Sequence, residues 1–181
     1  WVVLKYLLQR WRSNTNHGDS EEGFPLLGIN GRKRKTVGDF VWSNRLTVFV
    51  NGQQHEIVNP NPSVLLATFI RETVGLKGTK LGCEEGGCGA CTVIIENSDG
   101  KVVAGNSCLR LLCSNDGMSI TTVEGIGSVT GGLSEEQKRL VQNNGTQCGF
   151  CTPGWITNMH AYLESNAAEG KSFERKDVDN Y

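Results

Sequence analysis

Neither sign of charge is in excess in this chain: 18 Lys and Arg stand against 19 Asp and Glu, a formal net charge of −1. That balance leaves no electrostatic footprint for nucleic acid or an anionic membrane. Long apolar runs are also missing. The opening stretch WVVLKYLL is interrupted by Lys5 and is too short to span a bilayer. It does not read as a secretory leader either. No small-residue cleavage site follows, and Arg10 and Arg12 come after the apolar residues instead of before them. It reads as part of a helix in an N-terminal extension. The basic run Arg32 to Lys35 reads as a solvated linker, in preference to a nuclear address or an anion patch. Histidine is scarce, with three in 181 residues. His55 falls in an expected strand and His160 in an expected helix, neither beside another ligand-type residue, so core or surface roles are expected for both.

Cysteine, by contrast, is plentiful. There are seven, an odd number, in a chain without a secretory signal. A purely disulfide framework would leave one over, and clustered cysteines in a reducing compartment are more often metal ligands. A cytoplasmic location is the expectation. The chain begins at Trp1 and ends at Tyr181 inside a polar, periodic stretch with no stop signal, and it reads as a piece of something longer.

Three regions are expected. Residues 1–42 are rich in Ser, Asn, Gly and charge and show no sustained period, as in an extension that is poorly ordered or partly helical. Residues 43–124 alternate as strands do. RLTVFVNGQQHEIVN has the Asn51-Gly52 hairpin signal between apolar alternations. NPNPSVLLATFIRETVG predicts a helix with Ser63 as cap, Leu65/Phe69 and Leu66/Ile70 as a buried face, and Gly75 as its stop. A second hairpin follows, Thr92 to Glu96 and Lys101 to Ala104, turned at Asp99-Gly100. SCLRLLC reads as a short helical turn and MSITTVEG as a last strand. Residues 125–181 turn helical: Ser134 and Gln137 are spaced as a capping box, Gly145 marks a stop, Thr152 and Pro153 open another helix, and FERKDVDNY begins one more. The fold class expected is α+β, a small sheet crossed by a helix with a metal loop at one end, followed by a helical region.

The chemistry sits in LGCEEGGCGACTV. Cys83, Cys88 and Cys91 have the spacing C-x4-C-x2-C, the plant-type [2Fe-2S] pattern. Two irons bridged by two sulfides need four thiolates from different sides. Cys108, or Cys113 five residues later, supplies the fourth on spacing alone. The cluster with its thiolates is a dianion that gains a further negative charge on reduction. It needs backbone N–H groups aimed at sulfur, and six glycines between Gly75 and Gly89 let the backbone come close. A zinc site built from the two CxxC pairs, Cys88/Cys91 and Cys148/Cys151, leaves Cys83 and the glycines unexplained. In TQCGFCTPG, Cys148 and Cys151 precede a helix N-terminus, which favours thiolate. Two thiols cannot hold a [2Fe-2S] cluster alone, and a thioredoxin-type reading would require a strand before them. Glu84 and Glu85 read as solvated loop residues, and Trp155 as a packing anchor between the two halves.

KLGCEEGGCGACTV, TTVEGIGS and TQCGFCTPG, in that order and approximate spacing, resemble the N-terminal iron–sulfur region of the molybdenum hydroxylases, the xanthine dehydrogenase and aldehyde oxidase enzymes. The resemblance covers residues 45–181. It implies a β-grasp ferredoxin-like domain followed by a four-helix domain, here incomplete, each with one [2Fe-2S] cluster. It implies Cys83, Cys88, Cys91 and Cys108 as the first ligand set, which leaves Cys113 as a core thiol. Cys148 and Cys151 become half of the second set, with a C-x-C motif still to come. Gln147 takes the position of a glutamine that contacts molybdopterin. The implied role is a relay of single electrons from the molybdopterin centre to FAD, in a homodimeric full-length oxidoreductase whose flavin and molybdenum domains are this region's partners. This portion alone is not catalytically complete. Aldehyde oxidase and the small subunit of a split hydroxylase are close alternatives. A free-standing ferredoxin-like carrier and a zinc-stabilised module are alternatives of other classes. The residues after Gly125 speak against a simple carrier, which needs no second cysteine pair.

Overall fold

The computed structural model describes residues 43–168 and residue 170. These lie in one compact unit, Trp42–Tyr181. The expected extension over residues 1–42 and the expected last helix at FERKDVDNY lie outside the described residues.

The first hairpin forms where the sequence places it. β1 (Arg45–Val50) and β2 (Gln53–Val58) pair antiparallel, Val50 opposite Gln53. Asn51 (φ 49°) and Gly52 (φ 79°) both take the left-handed conformation that a tight two-residue turn demands. Leu46, Val48 and Val50 point into the core at 3% exposure or less. β3 (Thr92–Glu96) and β4 (Val102–Asn106) form the second hairpin, and β5 (Ser119–Thr121) closes the sheet. The order is β2-β1-β5-β3-β4. β5 lies parallel to β1 and antiparallel to β3, so the last short strand joins the two hairpins. This is the mixed sheet of a β-grasp.

One face of the sheet is covered by α1 (Leu66–Thr68), which widens at once into a π-turn over Phe69–Thr73. Leu66, Phe69 and Ile70 pack there with Val48, Val93, Ile95 and Ile120. The expected cap is absent. Ser63 donates its N–H to Asn61 Oδ1, and Leu65, with no side-chain cap, precedes the helix. Instead, Arg110 and Ser107 carbonyls accept the N–H groups of Leu66 and Ala67. Thus the helix N-terminus is satisfied by the segment that carries Cys108.

The other face is covered too. β3 is buried along Thr92–Ile95, on both faces, a pattern of strands sandwiched between layers. α4 (Thr152–Ala168) supplies the second layer, crossing β3 and β4 with Ile156, Thr157 and Ala161 buried. A short α2 (Val123–Ile126) and α3 (Glu135–Gln142) connect the sheet to it. The Ser134/Gln137 capping box is present in both directions. α3 stops with Asn144, not Gly145, in the left-handed conformation (φ 50°). α3 meets α4 through Glu136 and His160, whose Oε2 and Nδ1 face each other at 3.4 Å, within ion-pair distance but outside hydrogen-bond geometry.

Candidate metal centre

The ligand loop leaves the π-turn and is fastened from both sides before it reaches a cysteine. Arg71 donates to the Thr79 carbonyl at 2.7 Å, and Glu124 from α2 accepts the Gly78 N–H at 2.6 Å. Further on, Lys80 N–H reaches Ala90 O at 3.2 Å, drawing the two ends of the loop together. Between them Cys83 and Cys88 are exposed, whereas Cys91 is 2% exposed. Cys108 follows β4 and is likewise 2% exposed, packed with Cys91 against Ala67 of α1. Ser107 holds this approach by donating its N–H and its hydroxyl to Cys91 O at 3.2 and 2.7 Å.

The thiols fall into two neighbouring pairs, Cys83 with Cys88 and the buried Cys91 with Cys108. The backbone turns its donors toward them. Cys83 Sγ accepts from Cys88 N–H at 3.3 Å. Hydrogen bonds from the N–H groups of Glu85 and Cys88, then from the Cys88 thiol, bring the Cys83 pKa down from 9.0 to about 7. Burial, reinforced by the Cys91 thiol, pushes Cys108 up to about 11, against the pull of the Gly86 N–H. Gly86 itself takes the left-handed conformation (φ 81°), and its carbonyl accepts from Asn106 Nδ2 at 2.9 Å. A Cβ on Gly82 would stand 3.0 Å from Cys88 Sγ. Cys113 sits half-buried on the 3-10 turn Leu112–Asn115, one side of the ligand segment.

Among the described residues, no group of three or more His, Cys, Asp or Glu side chains is arranged to hold a single metal ion. Two neighbouring thiol pairs with backbone N–H groups near Cys83 and Cys108 suit a two-metal anion.

The second pair, Cys148 and Cys151, is exposed on the turn between α3 and α4, and Gln147 beside it is exposed as well. α4 begins one residue earlier than expected: the first helical bond runs from Trp155 N–H to Cys151 O at 3.2 Å. Thr152 does not cap it; its hydroxyl pairs with Thr146 at 2.8 Å. Trp155 is 57% exposed, so it is not the anchor between the halves. Its neighbours Gly154 and Ile156 are buried instead, and a groove of about 350 Å³ separates the Trp155 side from Gly86–Gly89 and β4. Sequence reasoning missed Glu124, Asn106 and Ser107, which shape the first site through contacts distant along the chain.

A profile for a 2Fe-2S iron-sulfur cluster binding domain matches residues 48–114, and one for a [2Fe-2S] binding domain matches residues 122–180. The structure superposes on quinoline 2-oxidoreductase from Pseudomonas putida 86 with a TM-score of 0.64 and 34% identity, covering 75% of this chain and 77% of that one. The chain belongs to the molybdenum hydroxylase family. Aldehyde oxidoreductase from Desulfovibrio gigas aligns with a TM-score of 0.63 and 39% identity over 74% of this chain and 14% of its own. Xanthine dehydrogenase from Drosophila pseudoobscura pseudoobscura is 48% identical over 128 residues, 68% of this chain. The chain spans about 10% of the length of that relative. It is therefore the iron–sulfur portion of a molybdenum hydroxylase, α+β with a ferredoxin-like part and a helical [2Fe-2S] part. Its relatives are oxidoreductases.

Proposed function

We propose that this chain relays single electrons from a molybdopterin centre to FAD within a xanthine dehydrogenase-type oxidoreductase. Both of those cofactors belong to other domains of the full-length enzyme, which are its partners. The observation that carries this reading is the pairing of buried Cys91 with Cys108 and of Cys83 with Cys88, whose N–H donates to Cys83 Sγ. Each pair would hold one iron. A [2Fe-2S] cluster bound there supplies one-electron storage. The chain's own contribution is position and potential. Gly86, Glu85, Gly87 and Cys88 offer N–H groups that stabilise negative charge on Cys83 and Cys108. Cys91 and Cys108 are shielded from water, and Cys83 and Cys88 face outward. Cys148 and Cys151 would hold half of a second cluster, with the remaining ligands supplied from outside this sequence. Gln147, exposed next to Cys148, would contact molybdopterin. The full-length enzyme acts as a homodimer in the cytoplasm, without nucleic acid or membrane as a partner. No helix among the described residues is long and apolar enough to cross a membrane. The domain division proposed is 43–124 ferredoxin-like and 125–181 helical.

A second reading is a small subunit of a split hydroxylase. It is favoured by the 77% coverage of the quinoline 2-oxidoreductase chain. Both readings share the ligand set, and variants test it. Cys88→Ala should remove the ferredoxin-like cluster, seen as loss of its visible absorbance after reconstitution, whereas Cys113→Ala should keep it. An intact cluster in Cys88→Ala would overturn the assignment.

A further inference from the structure

α4 touches the ligand loop at a place where no side chain intervenes. A Cβ built on Gly154 would lie 2.2 Å from Gly89 O and 3.0 Å from both Gly89 C and Ala90 Cα. All three are backbone atoms. They cannot swing aside as the end of a long side chain does. Gly89 O is moreover pinned, accepting from Thr92 N–H at 3.1 Å and from the Thr92 hydroxyl at 2.6 Å. Ala90 O is held by Lys80 N–H, and Ala90 itself is 3% exposed. Gly89 and Ala90 are the two residues between Cys88 and Cys91. Gly154 lies on the turn of α4 that starts at the Cys151 carbonyl. A second contact runs alongside: Phe150, between Cys148 and Cys151, brings its Cε1 to 3.6 Å from the Cβ position of Gly82, next to Cys83.

The geometry points to Gly154 as a positioning residue for the first cysteine site. α4 seats bare backbone on Gly89 and Ala90, and so locks the segment that carries Cys148 and Cys151 onto the loop that carries Cys88 and Cys91. The inference rests on the iron–sulfur reading above. Its physical content is that a displacement at residue 154 reaches Cys88 N–H, one residue from Gly89, and that N–H donates to Cys83 Sγ. Hydrogen bonds to sulfur tune a cluster's electronic state. Gly154 therefore sets a property of a cluster that it does not ligate.

The test compares Gly154→Ala with Ala161→Gly in the full 181-residue chain. Ala161 is buried on the same helix two turns away, so its change loosens α4 without pressing on Gly89. In the reconstituted chain, Gly154→Ala should keep the wild-type iron and sulfide content but shift the EPR g-values of the reduced cluster. It should also release iron to a chelator about tenfold faster, the scale of an overpacked contact. Ala161→Gly should lower thermal stability and leave the g-values unchanged. In the metal-free chain, amide exchange at Thr92, whose N–H is bonded to Gly89 O, should rise about tenfold in Gly154→Ala and stay at the wild-type rate in Ala161→Gly. Equal spectra and equal Thr92 exchange in Gly154→Ala and wild type would overturn the inference. So would identical shifts in both variants, including a general loss of fold. A wild-type chain that takes up no iron would defeat the functional reading instead, and the exchange comparison would still judge Gly154.

Discussion

Cys83 and Cys108 show how one proposed ligand set is divided by its surroundings. The first lies under the N–H groups of Glu85 and Cys88, which lower its pKa to about 7; the second is buried and raised to about 11. Cys83 gains thiolate as pH rises through about 7, and the stabilisation of that thiolate is lost as pH falls through the same value. Cys108 stays protonated until about 11. In the metal-free chain, alkylation of Cys83 by iodoacetamide, followed by peptide mass spectrometry, should accelerate between pH 6 and 8, while Cys108 stays slow throughout. Equal rates would contradict the assigned environments. At this scale the sequence was informative where chemistry depends on residue type and short spacing. Cys83, Cys88 and Cys91 declare themselves by C-x4-C-x2-C. Cys108 and Cys113 were not separable by spacing, because what distinguishes them is the approach of Ser107 to Cys91 O across the sheet end. Trp155 misled for a related reason. Its size suggested an anchor, but at that point α4 comes too close to the loop for any side chain, and Gly154 takes the contact.

At the scale of elements, features closed within a few residues were legible. The Asn51-Gly52 turn and the Ser134/Gln137 box formed as expected, since each needs only local hydrogen bonds or a left-handed pair. Ser63 failed as a cap because Ser107 and Arg110, more than forty positions on, satisfy the helix start instead. The π-turn at Phe69–Thr73 also left no mark in the apolar spacing; Leu66, Phe69 and Ile70 are buried as an ordinary helix would bury them. The box carries a prediction. Ser134→Ala removes the side chain that receives the Gln137 N–H, and Gln137 in turn reaches the carbonyls of Val123 and Gly127. The variant should lose about 1 kcal/mol, measured by thermal unfolding followed in the far ultraviolet. An unchanged transition would mean that α3 adds nothing to the stability of the unit.

At the scale of the whole molecule, the sequence indicated two hairpins, a crossing helix and a helical sequel, but not how they join. β5 pairs parallel with β1 nearly seventy residues away, and α4 lies over β3 and β4, so that the helical part shields the sheet of the ferredoxin-like part. Those are long-range contacts, chosen by which apolar faces remain uncovered once the local pieces exist. The consequence is that the two cysteine sites belong to one packed body, not to two beads on a string. In the proposed relay the first site is a finished two-iron site and the second a half site. Iron and acid-labile sulfide per chain after anaerobic reconstitution, with a low-temperature EPR spectrum of the reduced sample, test it most directly. The expected outcome is a pair of irons, a pair of sulfides and one rhombic [2Fe-2S] signal. Bound zinc without iron or sulfide would contradict it.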